Sequence, residues 1–340
     1  MDQEYTEQLK KIEAELERWL PENPDSAWIE QVFAGIAKTG DSDSLRSLLA
    51  PLRELVFRGG KRWRPLLMTL ICKNLGGGDA AIPLSPIIEF SHNASLIHDD
   101  IEDDSDERRG KPAVHKLYGI DTAINSASFF YFLAANCIET CSFKNKELLY
   151  RYWTECMRKL HLGQAMDINW HRNVSIIPQI EDYYQMCAMK TGSLACLATE
   201  LGAITAGVSA ETTQLLGNAA NKMGVGFQIL DDVKNLTTGI PGKKRGDDVV
   251  EGKKGLPVLL YMHKYPEKRD IIFYYFHAAK NEGNAAPEVD DLIDTLNNAG
   301  VFPEAEEKGR ALINEAKDLF SSHLNDNDGV LLDNFIKLIS

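Results

Sequence analysis

The chain has 340 residues, 44% apolar and 26% charged, enough apolar material for a sizeable core and too much for global disorder. Acidic residues number 50 against 37 Lys plus Arg, a net charge of −13, which excludes nucleic-acid binding by bulk electrostatics. The charged first twenty residues are no signal peptide, and no run of about 18 uncharged apolar residues offers a membrane span, so a soluble cytoplasmic protein is expected.

The pattern is helical almost throughout. Tyr5, Leu9, Ile12, Leu16 and Trp19 form one apolar stripe, and PENPD at 21–25 ends that helix. A stretch at 42–58 leads to the Gly59-Gly60 break; Pro65 opens a helix that Gly76-Gly77-Gly78 stops. Further helices are predicted over 84–104, 120–140, 146–171, 179–207, 210–236, 255–264, 267–280, 287–298, 303–322 and 328–339, with charged loops at 105–112 and 237–255. No stretch alternates like a strand, and there is no repeat or low-complexity linker. The expectation is an all-α protein, with an N-terminal helical extension over 1–40 and one helical domain over 41–340. The cysteines at 72, 137, 141, 156, 187 and 196 form no CxxC pair and read as buried free thiols, not zinc ligands or disulfides.

Two acidic clusters stand out. In HNASLIHDDIEDD (92–104), His92, Ser95, Asp99 and Asp103 share one helical stripe, because four residues advance about 40° around a helix. Two carboxylates one turn apart at the C-terminal end of a helix repel each other and the dipole, unless a cation such as Mg²⁺ sits between them. A lone Asp-Asp pair is usually a solvated patch; here there is a second copy. GFQILDDVKN (226–235) puts Gln228, Asp231, Asp232 and Asn235 on one polar face of an otherwise apolar helix. Two such helix ends facing each other in a bundle would rim an apolar cavity with cation ligands.

Basic residues follow these clusters. Lys61 and Arg64 lie in GGKRWRP (59–65), Arg108 and Arg109 directly after the first acidic run, and Lys190-Thr191 inside an apolar helix. Lys243, Lys244 and Lys253 follow the second run; neither Gly-Lys stretch is a P-loop. Carboxylates paired with adjacent cations suit a diphosphate, whose charge Mg²⁺ and Lys/Arg can share.

These motifs, with KTG (190–192) and EGKKGLP (251–257), resemble the trans-prenyl diphosphate synthase family in order and spacing, over about residues 50–265. DDIEDDSDERRGKPAVHKLYGIDTAINSA is similar to geranylgeranyl diphosphate synthases in particular. The resemblance implies an isoprenoid-synthase bundle around a deep apolar cavity, usually homodimeric. It implies head-to-tail condensation of isopentenyl diphosphate with an allylic diphosphate. By motif, Asp99, Asp100 and Asp103 would hold two Mg²⁺ ions and Asp231 a third, supported by Asp232 and Asn235. Arg108, Lys190, Lys243 or Lys244, and Lys253 would bind the allylic diphosphate. Lys61, Arg64, His92 and Arg109 would bind isopentenyl diphosphate, and Thr191 and Gln228 would line the place where the allylic cation forms. Asn235 stands where many members carry Asp.

The resemblance also places product-length control just before the first motif. Ser91, Ala94 and Ser95 are small there and predict a product of C20 or longer, unless Phe129, Phe130, Tyr131 or Phe132 on the next helix supplies bulk. The alternatives are a non-catalytic subunit of a heteromeric synthase, which intact motifs argue against, and a farnesyl diphosphate synthase. A cyclising terpene synthase would lack the GGKRWRP site, and a plain helical scaffold would not need the paired motifs.

Overall fold

The computed structural model describes residues 3–34, 42–239, 244–324 and 336. Among them the secondary structure is helical apart from one two-residue hairpin, as the periodicity predicts. The helices are α1 (Gln3–Trp19), α2 (Ser26–Phe33), α3 (Ser42–Val56), α4 (Trp63–Asn74), α5 (Ser85–Glu102), α6 (Val114–Tyr118), α7 (Ile120–Thr140) and α8 (Lys146–Arg172). They continue as α9 (Ile180–Cys187), α10 (Ser193–Ala206), α11 (Ala210–Leu236), α12 (Asp247–Glu251), α13 (Leu256–Lys264), α14 (Arg269–Glu282), α15 (Pro287–Asn298) and α16 (Val301–Ser321). The predicted helix over 328–339 lies outside the described residues, as does Lys243.

The chain divides into two compact units that interleave along the sequence. One comprises Met1–Thr154, Leu197–Gln214 and Leu324–Ser340; the other comprises Glu155–Cys196 and Leu215–His323. In the first unit, Ile12 and Leu16 of α1, Leu52 and Leu55 of α3, Leu66 and Ile71 of α4, Ile87 and Ile88 of α5, and Phe130 of α7 are all fully buried. Their spacing of three and four is what makes each helix bury one face. In the second unit, Tyr183, Ile229, Leu256, Leu259, Phe276 and Leu292 belong to one apolar cluster.

Three local features differ from the predicted elements. The 105–112 loop contains an antiparallel hairpin, β1 (Glu107–Arg108) with β2 (Lys111–Pro112), in which Arg108 pairs with Lys111. Arg109 and Gly110, at φ 56° and 72°, occupy its two central positions, the left-handed pair a tight hairpin turn requires. The predicted helix 179–207 is interrupted: Ala188–Gly192 is a π-helical segment between α9 and α10. The short helices α2, α6 and α12 lie in stretches too brief for a periodic signal. The thiol expectation holds: none of the six cysteines is in a disulfide, five are buried and Cys196 is half-buried. No described helix is long and apolar enough to cross a membrane.

Candidate active site

The last turn of α5 carries the first acidic motif, with Asp103 as its C-cap. Asp99 and Asp100 are neighbours on the helix and so point about 100° apart. The Asp100 side chain is fully buried, whereas that of Asp99 keeps 16% exposure. The hairpin returns Arg108 to this turn: its Nε donates to Asp100 Oδ1 at 2.7 Å, Nη2 reaches the same oxygen, and Nη2 lies 3.4 Å from Asp99 Oδ2. Arg108 thus offsets the negative end of the α5 dipole and ties the two aspartates in place. Asp100 is accordingly an internal anchor, while Asp99 and Asp103 are half-buried.

Beside it lies a cluster of cationic side chains built on glycine geometry. Gly59 and Gly60 take φ 98° and 142° between α3 and α4, and Lys61 stands exposed at the turn. Arg64 Nη1 donates to His92 Nε2 at 3.3 Å, and the Arg64 guanidinium stacks on Trp63, 4.2 Å from its ring centroid. Burial, then the nearby Arg64 and Arg109 charges, hold the His92 imidazole well below its ordinary pKa of 6.5. His92 is therefore neutral, with Nε2 as an acceptor. Arg109 Nη1 is held by Leu55 O at 3.0 Å and Gly59 O at 2.6 Å, and a Cβ on Gly60 would sit 3.4 Å from its guanidinium. Burial lowers the Arg109 pKa somewhat, yet a guanidinium stays charged. The unit thus brings Lys61, Arg64, His92 and Arg109 around one glycine turn.

In the other unit, the π segment presents Lys190 and Thr191. Lys190 Nζ pairs with Asp167 Oδ2 of α8 at 2.6 Å. Thr191 Oγ1 donates to Gln228 Oε1 at 2.7 Å, and Gln228 Nε2 donates to Asp232 Oδ1 at 2.9 Å. Asp232 also accepts from Tyr183 Oη at 2.6 Å and from the Leu256 amide at 3.2 Å. Burial raises the Asp232 carboxyl to about 6 against those three donors, which pull it down. Asn235 is buried; its Oδ1 accepts the Asp248 amide at 3.2 Å and so fixes the start of α12. The single polar face predicted for this helix end is therefore split: Asp231 is exposed, while Asp232 and Asn235 turn inward. Lys253 pairs with Glu251 at 2.5 Å, and Lys244 is exposed.

Several residues with no predicted role complete these arrangements. Asp167, in GQAMD, is the partner of Lys190. Lys254, buried and lowered to about 8 by desolvation, caps the end of α8 through Trp170 O and Asn173 O. Trp153 Nε1 donates at 3.3 Å to Ser91 Oγ, whose residue is fully buried, as is Ala94; Ser95 Oγ is turned back onto His92 O at 2.8 Å. Of the α7 aromatics, Phe130 stacks on Phe90, Tyr131 on His98 and Phe129 on Phe33, and Phe132 is 69% exposed.

The remaining donor set is all carboxylate oxygen, which suits a hard divalent ion such as Mg²⁺. Among the described residues no group of three or more His, Cys, Asp or Glu could hold an ion by itself.

Residues 46–294 match the polyprenyl synthetase family model. The chain belongs to this family. It is 32% identical over 285 residues to a geranylfarnesyl diphosphate synthase of Aeropyrum pernix, covering 78% of this chain and 85% of that protein. A geranylgeranyl pyrophosphate synthase of Penicillium crustosum is 37% identical over 191 residues, 56% of this chain; the chain spans only 54% of that relative's length. Among solved structures, geranylgeranyl pyrophosphate synthetase from Pyrococcus horikoshii Ot3 is similar with a TM-score of 0.83 at 26% identity, over 99% of this chain and 96% of that one. A geranylgeranyl pyrophosphate synthase from Corynebacterium glutamicum, complexed with isoprenyl diphosphate and magnesium, has a TM-score of 0.83 over 98% of both chains; at 21% identity it shows the fold alone. Both of these structures share this all-α fold.

Proposed function

We propose that the chain is a Mg²⁺-dependent prenyltransferase that adds isopentenyl diphosphate head-to-tail to an allylic diphosphate, giving an all-trans product of C20 or longer. The observation that carries this is the combination of a glycine-turn anion site (Lys61, Arg64, His92, Arg109) with accessible aspartates on separate helix ends (Asp99, Asp103, Asp231). One substrate diphosphate needs only cations and keeps its C–O bond. The other must leave, and needs metal as well.

In this reading Asp99 and Asp103 hold two ions and Asp231 a third, with Asp232 and Asn235 acting as braces, as their hydrogen bonds support. When bound, Mg²⁺ stabilises the negative charge that develops on the departing diphosphate. Lys190, held by Asp167, and Lys253, held by Glu251, add positive charge to the same leaving group, as do Arg108 and Lys244. Lys243 lies outside the described residues. Thr191 and Gln228, already bonded to each other, would offer oxygen dipoles to the allylic cation, which needs surroundings that keep out the water that would quench it. His92 is a poor base for the last proton, because Arg64 occupies its free lone pair; the released diphosphate takes that role.

The small residues before Asp99 support the product length, and the printed names of relatives, geranylgeranyl and geranylfarnesyl synthases, agree with it. Buried free thiols fit a reducing compartment, and the cytoplasm is the one we propose. The outward side of α7, with Ile120 at 56%, Ile124 at 44% and Phe132 at 69% exposure, supports a homodimer. Incubating the purified chain with isopentenyl diphosphate, Mg²⁺ and each allylic primer in turn, with products read by mass, tests the reading. C20 or longer products are expected. A main product of C15 overturns the length assignment, and no product with any primer overturns the enzyme.

A further inference from the structure

Arg62 stands between Lys61 and Arg64 in sequence, yet it turns away from both. It caps α4 in a left-handed conformation, φ 48°, and its side chain is 2% exposed. A non-glycine residue held there needs its surroundings to over-determine it, and they do. The guanidinium Nε donates to Glu13 Oε1 of α1 at 2.7 Å, Nη1 to Glu89 Oε1 of α5 at 2.9 Å, and Nη2 to Val56 O at the end of α3 at 2.6 Å. Glu89, itself buried, also accepts from Asn93 Nδ2 at 2.9 Å, the residue next to His92. A Cβ on Gly60 would lie 3.5 Å from Arg62 Nη1 and 3.4 Å from the Arg109 guanidinium. Every member of the anion site is therefore adjacent to this network: Lys61 and Arg64 along the chain, His92 through Asn93, Arg109 through Gly60.

Glu13 is the one carboxylate in the network that comes from the N-terminal helix. It keeps 43% side-chain exposure, so it is not needed to fill the core. Helix α1 is pinned separately one turn earlier, where Lys11 Nζ meets Asp79 Oδ2 at 2.8 Å and Gln8 Nε2 meets Asp79 Oδ1 at 3.2 Å. With that anchor, a carboxylate aimed at Arg62 acts on the glycine turn itself.

We infer that α1 is a positioning element of the second-substrate site: Glu13, by holding Arg62 against Glu89 and Val56, sets the turn that aims Lys61, Arg64 and Arg109 at one diphosphate. This rests on the assignment of those residues to isopentenyl diphosphate. Glu13 and Arg62 touch no substrate and act only through the turn.

The test is Glu13→Gln, which keeps the shape and removes the charge, with Lys11→Gln as a variant that loosens α1 elsewhere. Glu13→Gln is expected to raise the KM for isopentenyl diphosphate about tenfold, the size of effect a misplaced binding group produces. The KM for the allylic substrate and kcat should stay within about twofold of wild type. Arg62→Lys, which keeps the charge but loses the fork that spans three acceptors, should raise the same KM further. Lys11→Gln should leave both KM values unchanged. An equal rise in both KM values, a lowered Tm with neither KM changed, or the same KM rise in Lys11→Gln would overturn the inference. Calorimetric titration with isopentenyl diphosphate reads the same weakening without turnover. A wild type that binds but makes no product therefore counts against the enzymatic reading and not against this one.

Discussion

Adjacent like residues carry different duties in this chain, and the division recurs in each motif. Of Asp99 and Asp100, of Asp231 and Asp232, of Lys61 and Arg62, and of Lys253 and Lys254, the second member is buried and tied to protein partners while the first keeps solvent access. All eight lie in the short charged motifs that the sequence pattern picks out. The pattern could not say which of each pair turns inward, because that depends on partners outside the motif's own helix turn: Arg108 for Asp100, Tyr183 for Asp232, Glu13 for Arg62, Trp170 for Lys254. The division makes opposite predictions for neighbours. Asp99→Ala should cut kcat by roughly 10²- to 10⁴-fold with a Tm near wild type, since under the proposed function it removes a metal ligand and little packing. Asp100→Ala leaves the part-buried Arg108 without its main acceptor and should cost about 3–5 kcal/mol of stability. Steady-state kinetics with thermal melts separates the two, and equal Tm losses would refute the division. His92 gives a pH-dependent prediction. Its pKa is lower folded than the ordinary 6.5, so its contribution to stability is complete above about pH 6.5 and is lost as pH falls toward the folded value. Wild type should therefore lose Tm between pH 6.5 and 5 more steeply than His92→Gln; parallel curves would contradict the depressed pKa.

Helix positions were legible because an apolar stripe repeats every three or four residues over many turns, and α5, α7, α8, α11 and α15 begin and end within two residues of the predicted bounds. The π segment was not, because one extra residue in a turn barely disturbs that period. Its only trace in the sequence was a lysine and a threonine in an apolar run. What holds it is close packing: a Cβ on Gly163 of α8 would lie 2.5 Å from Lys190 N, and one on Gly192 would lie 2.8 Å from the Asn221 side chain. Asn221 Nδ2 also donates to Ala188 O at 2.9 Å, satisfying a carbonyl where the helical ladder shifts. Backbone cannot yield as a side-chain tip can, so Gly163→Ala should push the segment away from α8. We expect a loss of about 1–3 kcal/mol in stability, together with a fall in kcat as Lys190 leaves Asp167 and Thr191 leaves Gln228. Melting curves and kinetics check this; a variant that loses stability with unchanged kcat would show that the segment does not position those two side chains.

At the scale of the whole molecule, composition and periodicity gave the all-α class, while the interleaving of the two units was hidden, since a helical pattern reports only neighbours along the chain. Residues 197–214 return to the unit formed by the first 154 residues, and nothing in their apolar content announces it. The surface of that unit carries the last clue. Leu117 on α6 and Ile120, Ile124 and Phe132 on α7 are between 44% and 69% exposed, whereas Ala123, Ala127, Phe130 and Ala134 of α7 are fully buried. An apolar helix face left uncovered by its own chain costs solubility unless a partner covers it, and a second copy offers the same face to be covered in return. The double change Ile124→Asp and Phe132→Asp places two charges on that face while touching no residue of the acidic or basic motifs. Light scattering after gel filtration should then show a dimer for the wild type and a monomer for the variant, with the helical circular-dichroism signal retained. A variant that stays dimeric would move the interface elsewhere, and a monomeric wild type would leave this face exposed and overturn the dimer.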